Sequence, residues 1–177
     1  MLDRSRRFEA TVLPLLDSGF NLARWLLQDS AAAEDAVQEA ALRALKYFDK
    51  LRGEDARAWF LGIVRNVCFT HLKTRAGWQE VAGHEDEALE ALQLHAGLSS
   101  PEPGAALQQD HERSLINAAL RALSPPMREV LVLRELEGLD YAQIAQVTAL
   151  PLGTVMSRLS RARARMKELL IRSGART

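Results

Sequence analysis

The residues best suited to chemistry form a run of hydroxyl and guanidinium side chains near the C-terminus. They share one face of a predicted helix and comprise Thr154, Ser157, Arg158, Arg161 and Arg165. Short side chains let a helix approach the DNA major groove closely, while guanidinium groups reach phosphates and guanine edges. Taken alone, however, an arginine-rich face is more often simply a solvated face of a helix. The helices and turns around this face are therefore needed to distinguish a DNA-binding face from a solvated one.

A helix-turn-helix pattern surrounds this face. Asp140 and Gln143 have the spacing of a capping box at the start of a short helix, and a three-residue turn follows. Pro151 opens a longer helix that Gly174 ends. The opposite face of this helix is apolar and comprises Val155, Leu159, Ala162, Met166 and Leu169. A short capped helix, a tight turn and a two-faced long helix together favour DNA binding.

The charge distribution supports a nucleic-acid contact at the C-terminal end. The chain has 177 residues, 47% of them hydrophobic, with 23 Lys and Arg against 23 Asp and Glu. Residues 113–177 hold 11 basic and five acidic side chains, whereas residues 76–112 hold eight acidic and no basic ones. This composition is typical of a globular protein, and the basic end favours a polyanionic partner.

Several classes of function are excluded by what the sequence lacks. It has no apolar run near the roughly 20 residues that a membrane span needs, so no membrane insertion is predicted. A charged N-terminus without an apolar stretch argues against a signal peptide and favours a cytoplasmic location. The single cysteine, Cys68, cannot form an internal disulfide, and we expect it to be buried in a helix. The four histidines are too scattered for a metal site, so no cofactor is predicted.

Helical periodicity predicts an all-α fold of two small helical domains joined by a flexible acidic linker. The boundaries are residues 1–75, 76–111 and 112–177, since Gly and Pro concentrate in the middle stretch. In the first domain we expect three helices. The first runs from Phe8 to Leu27, with Pro14 and Gly19 as points where it bends or splits.

The other two helices of the first domain have capping residues and apolar faces. Ser30 is the expected N-cap of the second helix, and Asp55 that of the third. The second helix has an apolar stripe that comprises Ala33, Val37, Ala40, Ala44 and Phe48. The third has a wider apolar face, and we expect Trp59 to lie in the core beneath it.

The residues alone leave two rival functions open. One is a self-standing helix-turn-helix regulator whose first domain dimerises or senses a ligand. Tight binding of a palindromic duplex without a further protein would favour it. The other is an enzyme with a helical catalytic domain, although the sequence contains no group of acid, base and nucleophile that would support one.

Five stretches of the chain resemble a known family. Residues 123–130 (LSPPMREV), 141–145 (YAQIA) and 151–163 (PLGTVMSRLSRAR) resemble region 4 of bacterial sigma factors of the extracytoplasmic-function (ECF) group. Residues 33–39 (AEDAVQE) are similar to region 2.2 and residues 58–66 (AWFLGIVRN) to region 2.4 of the same group. Both halves match in the family's order, so the resemblance spans nearly the whole chain.

The resemblance implies a sigma factor that has no catalytic activity of its own. Such a protein binds core RNA polymerase through the largest and second-largest subunits, directs it to promoter DNA, and is held by an anti-sigma factor. The matching polymerase-binding positions are Asp35, Gln38 and Glu39. For the −10 element the matching position is Asn66, and Lys50, Arg52, Arg57 and Arg65 supply positive charge for the DNA backbone in the same region. The matching positions for the −35 element are Thr154, Ser157, Arg158, Ser160 and Arg161.

Two positions depart from the family pattern. Gly62 stands where relatives often have a basic or polar residue that contacts DNA. Met156 stands where many relatives have Lys or Arg, so one contact is either lost or replaced by an apolar contact to a thymine methyl group.

Overall fold

The computed structural model describes residues 2–53, 55–75 and 107–174, and they confirm the all-α fold. The predicted acidic linker lies outside them as far as residue 106. The first helical set comprises α1 (Leu2–Val12), α2 (Leu16–Leu27), α3 (Ser30–Tyr47) and α4 (Ala56–Arg75). The second comprises α5 (Leu107–Ala122), α6 (Pro125–Leu131), α7 (Tyr141–Thr148) and α8 (Leu152–Arg172).

The first predicted helix is split at its proline. Pro14 lies in a single 3-10 turn (Leu13–Leu15) between α1 and α2, because a proline has no N–H to continue the α-helical pattern. Gly19 lies inside α2 and does not interrupt it. The expected break is therefore at Pro14 alone.

Side-chain caps fix the starts of α3 and α4. The carboxylate of Asp29 accepts a hydrogen bond from the Ala32 N–H at 3.0 Å, so Asp29 caps α3 and the prediction of Ser30 was wrong by one residue. Asp29 has the extended backbone that an N-cap adopts, whereas Ser30 is already helical. Asp55 caps α4 as predicted, since its Oδ1 accepts from the N–H groups of Arg57 and Ala58.

The apolar stripes of α3 and α4 lie on the buried faces that the helical periodicity predicts. The predicted stripe is buried from Ala33 to Ala44 on α3, and its last member, Phe48, is buried in the 3-10 turn that follows α3. On α4, Phe60, Val64 and Cys68 have no exposed surface, and Trp59 packs partly buried against the same core. Burying these side chains supplies the main driving force for folding this part of the chain.

The second helical set confirms the helix-turn-helix. α5 begins at Leu107, earlier than the predicted domain start at residue 112. α6 continues as a π-helical turn (Val132–Leu136) and ends at Gly138, whose φ of +67° suits a glycine. α7 begins with both hydrogen bonds of the Asp140–Gln143 capping box. α8 buries Val155, Leu159 and Ala162.

The two helical sets pack directly on each other. α4 lies against α7, and α2 lies against α6, so the buried apolar side chains of both sets form one continuous core. Among the described residues, no helix is both long and apolar enough to cross a bilayer.

Candidate functional site

The exposed face of α8 carries most of the predicted −35 residues. Ser157, Ser160 and Arg161 are exposed and Thr154 is half-buried. The Ser157 hydroxyl donates to the Thr154 carbonyl at 3.0 Å, which holds the short side chain against the helix. Because the capping box fixes α7 and the core holds the other side of α8, this face is presented on a rigid support.

Arg158 is not on that face, and this corrects the predicted arrangement. It is only 8% exposed and is buried together with Val155, Leu159 and Ala162. At 3.6 residues per turn, position 158 is about 60° from position 155 around the helix, so it borders the buried stripe. In this structure Arg158 is not available to DNA, and α8 offers Thr154, Ser157, Ser160 and Arg161 instead.

The predicted −10 residues fall into two groups. Lys50, Arg52 and Asn66 are exposed. The Lys50 ammonium lies 4.9 Å from the centre of the Tyr47 ring, which is itself partly exposed. A cation beside an accessible aromatic ring suits single-stranded nucleic acid, whose bases stack and whose phosphates pair with cations.

The other group, Arg57 and Arg65, is engaged with the second helical set. Arg57 Nη2 donates to Glu137 Oε2 at 2.8 Å, and Arg65 Nε donates to Glu129 Oε1 at 2.6 Å. The Arg65 guanidinium also lies 4.1 Å from the centre of the Phe69 ring. The structure therefore does not bring all five predicted −10 residues to one open surface.

The predicted polymerase-binding residues share the outer face of α3. Asp35 and Gln38 are exposed, while Glu39 is half-buried and bonds to Arg43 and His71. Sequence reasoning missed Leu42, which is 69% exposed on the same face. Its spacing of four from Gln38 and three from Glu39 was the available signal, because such residues are neighbours on a helix.

An apolar groove on the second helical set was also missed. It has a volume of about 400 Å³, and its walls come from α5, α8 and the π-helical turn after α6. Ile116 and Leu136, which line it, are 44% and 51% exposed. The spacing of Ile116 predicts a buried stripe, but nothing in helical periodicity separates a core face from a partner-binding face.

Polar contacts between the two helical sets centre on Arg128, whose side chain is fully buried. Its guanidinium donates to the carbonyls of Trp25 and Leu26 on α2 and to three carbonyls between residues 120 and 123. Burial lowers the pKa of Arg128 to about 10, and the nearby charge of Arg121 adds to this effect. Arg128 therefore stays charged at neutral pH.

Known families and proteins match this chain over most of its length. The family model described as Sigma-70 region 2 matches residues 11–77, and the one described as Sigma-70, region 4 matches residues 113–166. The RNA polymerase sigma-H factor of Pseudomonas aeruginosa is 32% identical over 162 residues, which cover 89% of this chain and 83% of that protein. The ECF RNA polymerase sigma-E factor of Escherichia coli K12 is 31% identical over 140 residues, which cover 76% of this chain and 71% of that protein.

A solved structure is similar across both helical sets. It is the sigma factor RpoE in complex with the anti-sigma factor NepR from Bartonella quintana, with a TM-score of 0.70 and 27% identity. The match covers 93% of this chain and 97% of that one.

Proposed function

This chain belongs to the ECF group of the sigma-70 family, sigma factors that direct RNA polymerase to specific promoters, and we propose that its two helical sets divide that work between them. The second set would read the −35 element as duplex DNA. The first would bind core polymerase through α3 and the −10 element through α4 and the residues before it. The observation that carries this division is the order of the two family matches, region 2 on the first set and region 4 on the second.

Recognition of the −35 element would use the open face of α8. Thr154, Ser157 and Ser160 are small enough to let the helix enter the major groove, and Arg161 reaches a phosphate or a guanine edge. Met156, which is half-exposed on the same helix, offers an apolar contact for a thymine methyl group.

Binding of polymerase would use α3 together with the apolar groove. The exposed carboxylate of Asp35 and the apolar side chain of Leu42 lie on one face, which suits a helical partner with basic and apolar residues. The groove between α5 and α8 suits the apolar face of a second helix from the same partner. Because a structural relative was crystallised with its anti-sigma factor, an anti-sigma factor is a further proposed partner.

The proposed activity is binding without catalysis, and its place is the cytoplasm, where polymerase and promoter DNA are found. The test is reconstitution of the chain with core polymerase and run-off transcription from genomic fragments. We expect discrete transcripts that start downstream of a shared pair of elements and that disappear when the chain is omitted. Tight binding of duplex DNA by the chain alone, with no transcript from the reconstituted enzyme, would instead support a self-standing regulator.

A further inference from the structure

The N-terminal helix α1 lies against the segment of residues 48–53 that follows α3, which we call the 48–53 turn. The turn carries Lys50 and Arg52, two of the predicted −10 residues, and both are exposed. It begins as a 3-10 turn, continues through Leu51 in an extended conformation and reaches Gly53, whose φ is +66°. A segment of this kind has no repeating backbone hydrogen bonds, so its conformation depends on what packs against it.

One arginine of α1 bonds both to the 48–53 turn and to the helix before it. The Nε of Arg4 donates to both carboxylate oxygens of Asp49, at 3.1 and 3.0 Å, and its Nη2 donates to the carbonyl of Leu45 at 2.7 Å. Leu45 lies in the last turn of α3, and carbonyls at the end of a helix accept readily from cationic side chains. Because a guanidinium is planar and rigid, these bonds together fix Asp49 relative to the end of α3.

Aromatic contacts reinforce the same attachment. Phe48 is buried, and the ring of Phe8 on α1 meets it edge to face, with 5.4 Å between the ring centres. The guanidinium of Arg7 lies 5.9 Å from the centre of the Phe48 ring. Helix α1 therefore contacts two successive residues of the 48–53 turn, Phe48 and Asp49.

The residues that flank Phe48 and Asp49 in the chain are exposed. Tyr47, the last residue of α3, is 41% exposed, and its ring centre lies 5.3 Å from the ammonium of Lys46 and 4.9 Å from that of Lys50. An accessible aromatic ring between two cations suits a single strand, whose bases stack and whose phosphates are anionic. Because Tyr47 and Lys50 directly flank the two residues that α1 holds, α1 sets the direction in which their side chains project.

We propose that Arg4 is a positioning residue for the −10 site: it holds the 48–53 turn in the conformation in which Tyr47 and Lys50 contact the single strand, and it does not contact DNA itself. This inference rests on the proposed function. The side chains of Arg4 and Asp49 are 42% and 73% exposed, and exposed ion pairs add little to stability. The bonds of Arg4 therefore order the turn rather than stabilise the fold. If their loss leaves the turn in its binding conformation about one fifth of the time, the apparent affinity for the strand falls about fivefold.

The test measures binding of the −10 strand by the holoenzyme reconstituted from core polymerase and the full-length chain. The probe is a fluorescein-labelled single-stranded oligonucleotide with the −10 sequence mapped by run-off transcription, and anisotropy gives its Kd. Arg4→Gln is compared with Arg6→Gln, which removes the same charge from an exposed position of the same helix. We expect about fivefold weaker binding for Arg4→Gln and a change of less than about twofold for Arg6→Gln. Equal affinities of the two variants would overturn the inference.

Thermal unfolding of the free chain separates ordering of the turn from a general structural role. Both variants should have a Tm within about 3 °C of the parent chain, because each loses at most an exposed interaction. A much larger fall in the Tm of Arg4→Gln would show that Arg4 supports the whole fold, and the positioning role would then be wrong.

Two further readouts separate positioning from direct contact with DNA. Loss of a phosphate contact makes the dependence of log K on log salt less steep by about 0.7 for a single strand, whereas the Arg4→Gln and Arg6→Gln holoenzymes should show equal slopes. In an Asp49→Asn background, Arg4→Gln should weaken binding only about twofold, because the carboxylate through which Arg4 acts is already absent. A less steep slope for Arg4→Gln, or an undiminished loss in that background, would contradict the positioning role.

The parent holoenzyme judges the proposed function separately. If it neither transcribes nor binds the oligonucleotide, the proposed function is wrong. If it does both and Arg4→Gln binds the oligonucleotide as tightly as the parent, only the positioning role of Arg4 is wrong.

Discussion

Gln143 donates a hydrogen bond from Nε2 to Oδ2 of Asp55 at 2.5 Å, although 88 residues separate them. Each residue also organises the start of its own helix. Gln143 closes the capping box of α7 through its Oε1, and Asp55 caps α4 through its Oδ1. One amide thereby ties the first turn of α7 to the first turn of α4, the helix that carries three of the predicted −10 residues.

This contact predicts an acid-sensitive contribution of Asp55 to stability. The hydrogen bond from Gln143, followed by those from the N–H groups of Ala58 and Arg57, lowers the pKa of Asp55 below its ordinary value of 3.8. A carboxyl whose pKa is lowered by folding stabilises the native state above its unfolded pKa, and this stabilisation is lost as the pH falls through the native pKa. Asp55→Asn should therefore lower the Tm at pH 7 but have little effect near pH 2. The same drop in Tm at both pH values would contradict this assignment.

Two glycines in helices should respond to alanine in opposite directions. A Cβ on Gly19 would lie 2.9 Å from Cε1 of the fully buried Phe60 and 3.2 Å from Cγ2 of Val64. The strain should exceed the gain in helix propensity of about 1 kcal/mol, so Gly19→Ala should lower the free energy of unfolding by about 1–2 kcal/mol.

Gly153 is the matched control, because it lies in α8 where an added Cβ would meet open space, with nothing to contact within 4 Å. Gly153→Ala should raise the free energy of unfolding by about 0.5–1 kcal/mol. Urea denaturation followed by circular dichroism measures both changes. A stabilised Gly19→Ala variant would show that α2 and α4 are less closely packed than these distances indicate.

Arg128 should be among the residues whose loss destabilises the protein most. Arg128→Met keeps much of the side-chain volume but leaves the carbonyls of both helical sets without their donor. Loss of such buried hydrogen bonds should lower the free energy of unfolding by about 3 kcal/mol. The exposed Arg172→Ala should change it by less than about 0.5 kcal/mol. Equal effects of the two variants in urea denaturation would argue against a buried role for Arg128.

Cys68 should be inert to thiol reagents in the native protein. It has no exposed surface, and burial, with the charge of Glu129 adding to it, raises its pKa to about 12. Ellman's reagent at pH 8 should label almost no chains without denaturant and one thiol per chain in guanidinium chloride. In the unfolded chain the thiol ionises at its ordinary pKa of 9.0, which is below its pKa in the native protein. The free energy of unfolding should therefore fall as the pH rises above 9.0. Rapid labelling of the native chain would contradict the burial of α4.

Local features of the fold could be predicted from the sequence, whereas the contacts between domains could not. The Asp140–Gln143 box depends on a spacing of three residues, so the sequence pattern identifies it directly. The pairs Arg65–Glu129 and Arg57–Glu137 join residues 64 and 80 positions apart, and no periodicity links them. Arg57 and Arg65 were predicted from their type to bind DNA, and the same charge brings them to glutamates in this structure.

The division of faces on α8 was predictable for most positions. Val155, Leu159 and Ala162 are buried as expected, because spacings of three and four keep apolar residues on one side, whereas Met166 and Leu169 are only partly buried. Arg158 was assigned to the outer face of the helix and matched to a family −35 position, although its place beside the stripe favours burial. Conversely, the spacing of Ile116 is that of a buried stripe, but in the structure Ile116 lines an open groove.

The most direct test of the account is run-off transcription and core-polymerase binding, measured together for two sets of variants. Arg161→Ala should reduce transcription from a −35-dependent promoter about tenfold, the effect of losing one base or phosphate contact, while core binding is unchanged. Arg172→Ala, which removes a cation from the far end of the same helix, should leave both intact. The double variant Asp35→Ala, Gln38→Ala should weaken core binding. If Arg161→Ala impaired core binding, or if the α3 double variant left it unchanged, the proposed division of work between the two helical sets would be wrong.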